Sequence, residues 1–190
     1  QNGKETPVLN VHDILLPGVH NVENYMAAIA ATWRLVENKY YTKVAKEFKG
    51  VEHRLERVRE LNGITFINDS IGSSPSRTIA GLHAMRKKPI VILGGYDKKI
   101  PFDELGRELI AYAKKAVITG ATAQKISAAI DAAGDFEYVV EDDFDMAVRK
   151  AYEIAGEGDI VLFSPACASF DRFKNFEERG EHFRSLVLAL

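Results

Sequence analysis

Three short segments concentrate residue types that bind anions. Asn68-Asp69-Ser70-Ile71-Gly72-Ser73-Ser74-Pro75 combines hydroxyls, a glycine and a helix start at Pro75 or Ser76. Such a turn can cradle a phosphate or carboxylate on backbone N–H groups. Asp69 there suits a metal or a ribose; the plainer alternative is an ordinary capped helix start. Gly94-Gly95-Tyr96-Asp97-Lys98-Lys99 lets a ligand approach the backbone closely. Lys98 supplies a point charge for a carboxylate or phosphate, the alternative being a flexible turn with solvated lysines. The third segment runs Ser164-Pro165-Ala166-Cys167-Ala168-Ser169-Phe170-Asp171-Arg172-Phe173-Lys174-Asn175-Phe176-Glu177-Glu178-Arg179-Gly180. Small and kinked residues open it, and an amphipathic stretch follows.

Other chemistry-bearing residues are more isolated. His53-Arg54 follows Gly50 where two parts of the chain meet, and an Arg at such a junction suits a phosphate through bidentate bonds. A surface ion pair with Glu52 or Glu56 is the alternative. His20, near Asn21 and Asn24, reads as a polar helix cap. Cys167, flanked by alanines with no base nearby, reads as a packing residue. His12, His83 and His182 show no metal-ligand spacing. Phe170, Phe173 and Phe176, spaced i, i+3, i+6, read as core rather than site, although the first lies beside the turn. No G-x-x-x-x-G-K-[ST] phosphate loop is present. If ATP is used, the main grip on its triphosphate is expected elsewhere.

These residues need elements to hold them. The apolar run at residues 8–16 reads as a strand ending at Pro17-Gly18. A helix is expected over 22–37, with Asn21 as N-cap and Val22, Met26, Ile29, Trp33 and Val36 on one face, and a second over 42–48. Residues 54–61 and 64–68 read as strands joined by the Asn62-Gly63 turn. Strands at 90–93, 116–119, 137–140 and 160–163 then alternate with helices at 76–85, 102–113, 123–132, 144–155 and 173–188. That alternation predicts an α/β fold, a mostly parallel sheet with helices on both faces. The three anion-binding segments then fall at the carboxyl ends of strands, where ligands bind in such sheets. Residues 1–49 have too few strands for their own core and read as the tail of another domain, with 50–190 forming the main one. Open apolar faces in that tail are candidates for self-association.

The 190 residues are 46% hydrophobic and 27% charged, as in ordinary globular proteins. A net charge of −2 gives no field to recruit nucleic acid or anionic lipid. A single cysteine suits a reducing, cytoplasmic setting. No apolar run approaches the roughly 20 residues of a membrane span, and no signal peptide opens the chain. It starts on Gln1, as expected of a piece of a longer protein.

Together with Leu16-Pro17-Gly18-Val19-His20-Asn21-Val22-Glu23-Asn24, the three segments resemble the muramyl ligase family. Gly18 to Asn24 matches the family's G-x-H-N-x-x-N helix start near the end of its central ATPase domain. His53 to Leu190 matches its C-terminal Rossmann-like domain. Within the family these segments together most resemble the branch that joins D-glutamate to UDP-N-acetylmuramoyl-L-alanine in peptidoglycan precursor synthesis, the block from Ser164 to Gly180 being the most specific of them. The resemblance implies an ATP- and Mg²⁺-dependent ligase that works through an acyl phosphate, with this chain inactive alone. It implies Asn24, His53, Arg54 and Asp69 near the nucleotide. It implies Ser73, Lys98, Ser169, Phe170 and Phe176 around D-glutamate, and no metal ligand here. Ile71 stands where the family's D-S-K-A-T-N loop has lysine, and Ser74 where it has asparagine. Residues 49–51 are the expected hinge for closure. A folylpolyglutamate-type ligase and a non-catalytic α/β binding module are the competing expectations.

Overall fold

The computed structural model describes residues 6–16 and 18–190, the side chain of His20 excepted. Pro17, the expected strand stop, and the expected His20 cap lie outside the described residues. The chain divides into two compact units, one ending at Gly50 and one running Val51–Leu190.

The first unit is helical, and two expectations fail there. Residues 8–16 form no strand; they hold a short 3-10 turn, Val11–Asp13. The cause is local: the Asn10 side chain accepts from His12 N at 3.0 Å, and Asp13 N reaches the Asn10 carbonyl. Helix α1 spans Val19–Thr32 with Gly18, not Asn21, as its N-cap. It also stops before the expected 37, because the Tyr41 hydroxyl takes the Thr32 carbonyl at 3.1 Å and Arg34 turns to φ 70°. Helix α2 spans Asn38–Glu47 and buries Tyr41 and Ala45.

The second unit opens with an antiparallel hairpin, β1 (Glu56–Leu61) and β2 (Ile64–Asn68). Asn62 and Gly63 both take positive φ, 51° and 75°, as a two-residue I′ turn requires. β1 starts two residues later than expected because His53 and Leu55 are left-handed, φ 61° and 47°. Then come α3 (Pro75–Ala84), β3 (Ile90–Leu93), α4 (Asp103–Tyr112) and β4 (Lys115–Ile118). They are followed by α5 (Ala123–Ala133), β5 (Tyr138–Val140), α6 (Phe144–Glu153), β6 (Ile160–Phe163) and α7 (Phe176–Ala189). The sheet order is β1-β2-β6-β3-β4-β5, and all pairs but the hairpin are parallel.

Both faces of this sheet are covered, so its central strands are continuous apolar runs rather than alternating ones. Val91, Leu93, Ile118 and Leu162 pack with Leu82, Leu105, Leu109, Ile126 and Ile130 from α3, α4 and α5. Ile90, Ile92, Val161 and Phe163 pack with Ala147, Val148, Phe183 and Val187 from α6 and α7. Phe163 and Phe183 stack at 4.8 Å, and each fully buried ring stabilises by about 1.5–3 kcal/mol. α7 starts at Phe176 rather than 173, since Asn175 caps it by accepting from Glu178 N at 2.8 Å. Phe170 and Phe173 therefore precede the helix, and the expected aromatic stripe does not form. Phe173 packs on the second core layer, while Phe170 is 66% exposed.

Candidate functional site

β6 lies between β2 and β3, but the chain leaves it toward the opposite face. β2 and β3 lead into α3 and α4 on one layer, and β6 leads toward α7 on the other. Loops that part in this way open a crevice at the carboxyl end of the strand between them. Backbone bonds knit the three loops there. Ala166 N donates to the Gly72 carbonyl at 2.8 Å, Gly94 N to the Pro165 carbonyl at 2.8 Å, and Tyr96 N to the Ala168 carbonyl at 2.9 Å. This contact admits no side chain at residue 95: a Cβ on Gly95 would stand 2.5 Å from the Ala168 carbonyl oxygen. Ala166 is held left-handed at φ 58°, a strained state that the surrounding bonds maintain.

Ser73, Lys98, Ser169 and Phe170 all sit on these knitted loops, and Phe176 opens α7 beside them. Ser73 is half-buried and Lys98 exposed. The Ser169 carbonyl accepts from Arg172 N and Phe173 N, turning the chain toward α7. Phe170 presents its ring edge-on to Tyr96 at 6.0 Å. Phe176 meets the His53 ring edge-on at 6.2 Å, and its carbonyl accepts from Ser70 Oγ at 2.8 Å.

The four residues expected near a nucleotide are placed differently from one another. Asn24 stands exposed on α1 in the first unit, its Nδ2 directed at Asn21 Oδ1 at 3.4 Å. Arg54 is exposed at the start of the second unit and makes no ion pair with Glu52 or Glu56 there. Asp69 turns inward and is 4% exposed: Oδ2 accepts from Ser164 Oγ at 2.7 Å and Oδ1 from Leu55 N at 3.3 Å. Burial raises its carboxyl to about 6, against the hydrogen bonds of Ser164 and Leu55 and the charges of Arg54 and Arg77. His53 is 5% exposed, with Nδ1 facing Asn68 Nδ2 at 3.0 Å.

Glu52, His53 and Glu181 come close enough to suggest a metal centre. The chemistry says otherwise. Asn68 Oδ1 accepts from Ser70 N and its Nδ2 donates to the Gly180 carbonyl, so its amide orientation is fixed. His53 Nδ1 is then an acceptor, and its proton sits on Nε2, facing Glu181 at 3.6 Å. The Arg184 guanidinium already lies 3.5 Å from Glu52, 2.6 Å from Glu56 and 3.4 Å from Glu181. The cluster is an arginine-centred ion-pair network and does not fit a divalent cation.

Sequence reasoning missed two buried groups at this edge. Ser164 joins Asp69 to Thr78 Oγ1, which it meets at 2.9 Å. Arg179 lies buried beneath the loops. A basic residue in the first turn of an amphipathic helix reads as solvent-facing; the only signal was its place at the end of the Ser164 block. The edge as a whole offers the ammonium groups of Lys98 and Lys99, which form no ion pair among the described residues, with hydroxyls, backbone N–H groups and exposed aromatic rings. It can hold a small anionic ligand.

Residues 53–167 match the family model described as the glutamate ligase domain of Mur ligases. Curated relatives include a UDP-N-acetylmuramoylalanine–D-glutamate ligase of Acetivibrio thermocellus, 49% identical over 98% of this chain and 41% of its own length. One from Clostridium novyi is 48% identical over 97% of this chain and 41% of its own. The chain thus spans about two fifths of the curated relatives it matches. Among solved structures, UDP-N-acetylmuramate-alanine ligase of Thermotoga maritima shares the fold with a TM-score of 0.71 at 19% identity, over all of this chain and 42% of that one.

Proposed function

The chain belongs to the Mur ligase family, and from that membership we propose that it is the C-terminal part of the ligase joining D-glutamate to UDP-N-acetylmuramoyl-L-alanine. In the parent enzyme, ATP gives its γ-phosphoryl group to the carboxylate of the UDP-sugar acid, leaving ADP and an acyl phosphate. The D-glutamate amine attacks the acyl carbon, the amide forms and phosphate leaves. This chain supplies the acceptor edge. Lys98 and Ser73 engage the carboxylates, and Ser169, Phe170 and Phe176 shape the room around the carbon chain. Asn24, His53, Arg54 and Asp69 belong to the nucleotide side, His53 and Asp69 from buried positions. ATP is gripped at its phosphates, and Mg²⁺ is held, by residues outside this chain. Closure about residues 49–51 would bring amine and acyl phosphate together and keep water out. Gly50, at φ 101°, has the backbone freedom a pivot needs. Among the described residues no helix is long and apolar enough to cross a membrane; the cytoplasm is the location we propose on the ground of the family's use of ATP.

The observation that carries this reading is the knitting of three anion-suited loops around the carboxyl end of β6. The test is ATP-dependent phosphate release by the full-length parent with UDP-N-acetylmuramoyl-L-alanine and D- or L-glutamate, run beside this chain alone. Release with D-glutamate only, and none from the chain alone, is expected. Release with another acceptor moves the assignment to a sister ligase, and no release with any acceptor favours a binding module.

A further inference from the structure

Arg179 carries a charge yet is 2% exposed. Its guanidinium makes three hydrogen bonds. Nε donates to Ser70 Oγ at 3.1 Å, Nη2 to the Ser70 carbonyl at 2.8 Å and Nη1 to the Cys167 carbonyl at 3.1 Å. Ser70 lies on the loop after β2, Cys167 on the loop after β6, and Arg179 itself in α7. The loop after β3 is also against it, since a Cβ on Gly95 would lie 3.3 Å from Nη1. One rigid fork therefore bonds the loops after β2 and β6 to α7 and stands against the loop after β3.

No carboxylate is paired with it among the described residues. Its partners are a hydroxyl, two carbonyls and, 5.7 Å away, the Phe163 ring. Burying a cation on such terms is costly, and burial accordingly draws its pKa down to about 10. An arrangement that serves packing alone is met more cheaply by an apolar side chain. A carboxylate bonded to it would cancel its field; Asp171 acts on it only through space, so part of the field reaches the edge above it.

We propose that Arg179 is a positioning residue for the acceptor site: it sets the separation of the Ser73 and Ser169 loops and keeps a positive potential beneath them for a dicarboxylate amino acid. This rests on reading that edge as the D-glutamate site.

The experiment uses the full-length parent. Arg179→Lys keeps the charge and loses the fork; Arg179→Gln loses the charge. Both are expected to raise the D-glutamate KM about tenfold or more while the ATP KM stays within about threefold. A purely structural role would lower thermal stability and active fraction with the D-glutamate KM unchanged, and that result overturns the proposal. Should either variant fail to fold, the wild type decides. The resonance of the buried Arg179 Nε–H, bonded to Ser70 Oγ, is expected to shift on adding D-glutamate, and no shift at saturation overturns the proposal. A wild-type parent without D-glutamate-dependent phosphate release refutes the site reading itself. An active parent with insensitive variants refutes the role of Arg179 alone.

Discussion

Gly180 on α7 and His53 at the start of the second unit occupy the same space: a Cβ placed on residue 180 would stand 2.2 Å from His53 Nδ1. The bare backbone lets the ring enter and meet Asn68, whose amide also bonds the Gly180 carbonyl at 3.2 Å. Gly180→Ala must push the ring out. The expected cost is about 1–3 kcal/mol, typical of overpacking, read from urea unfolding by circular dichroism. In a His53→Ala background the same change should cost less than about 0.5 kcal/mol, because the clashing atoms are gone. Equal costs in both backgrounds would show that the contact is unimportant.

Asp69 makes stability pH-dependent in an unusual direction. Its carboxyl is raised from 3.8 to about 6 by burial. Between those values the native state keeps a proton that the unfolded chain has released. The contribution is whole below about pH 4, declines as pH rises toward about 6, and is then lost. At about 1.4 kcal/mol per pKa unit the loss approaches about 3 kcal/mol. Asp69→Asn should flatten this slope, so that the variant gains on the wild type from about pH 4 to about pH 7. Parallel pH profiles of the urea midpoint would contradict the assignment.

Cys167 should be inert in the native protein. It is 2% exposed, and burial raises its thiol to about 11 despite the Thr122 hydroxyl and the Arg179 charge. The thiolate is the reactive form, so iodoacetamide at about pH 8 should label it only at the rate of unfolding. Mass spectrometry with and without urea checks this. Rapid labelling in native buffer would mean that the loop after β6 opens readily.

Lys98 is left free by its neighbours. The Asp97 side chain accepts from Lys99 N at 2.7 Å and from the Lys125 ammonium, while Lys98 forms no ion pair among the described residues. Lys98→Ala in the full-length parent should raise the D-glutamate KM about tenfold to a hundredfold, the worth of a charge-assisted bond. The ATP KM should rise less. An unchanged D-glutamate KM removes Lys98 from the site.

The sheet was readable because its strands are short apolar runs bounded by glycine or polar turns, as at Ile90–Leu93 and Ile160–Phe163. The edge that carries the loops followed from strand order alone. Residues 8–16 misled because an apolar run says nothing about whether a partner strand exists; Asn10 settled the matter locally. The Asn175 cap was missed because Phe173 extended the helical period backwards. Asp69 and Arg179 were hardest, since burial of a charge depends on loops distant in sequence: Ser164 lies 95 residues from Asp69, and Ser70 lies 109 from Arg179.

The place of β6 in the sheet also orders events in time. It is the last strand in the chain, yet it lies between β2 and β3 and pairs with both. Until it is synthesised, the hairpin and the β3-β4-β5 ladder are separate pieces, each with an open parallel edge. The hairpin cannot bury both of its faces, and the ladder, although α6 already covers β3 and β4, still lacks α7 on that side. The second unit must therefore wait for its C-terminal residues before it folds, and a ribosome stalled before β6 would expose two sticky edges at once. The crevice is then the final part to form, assembled by the same strand that completes the core.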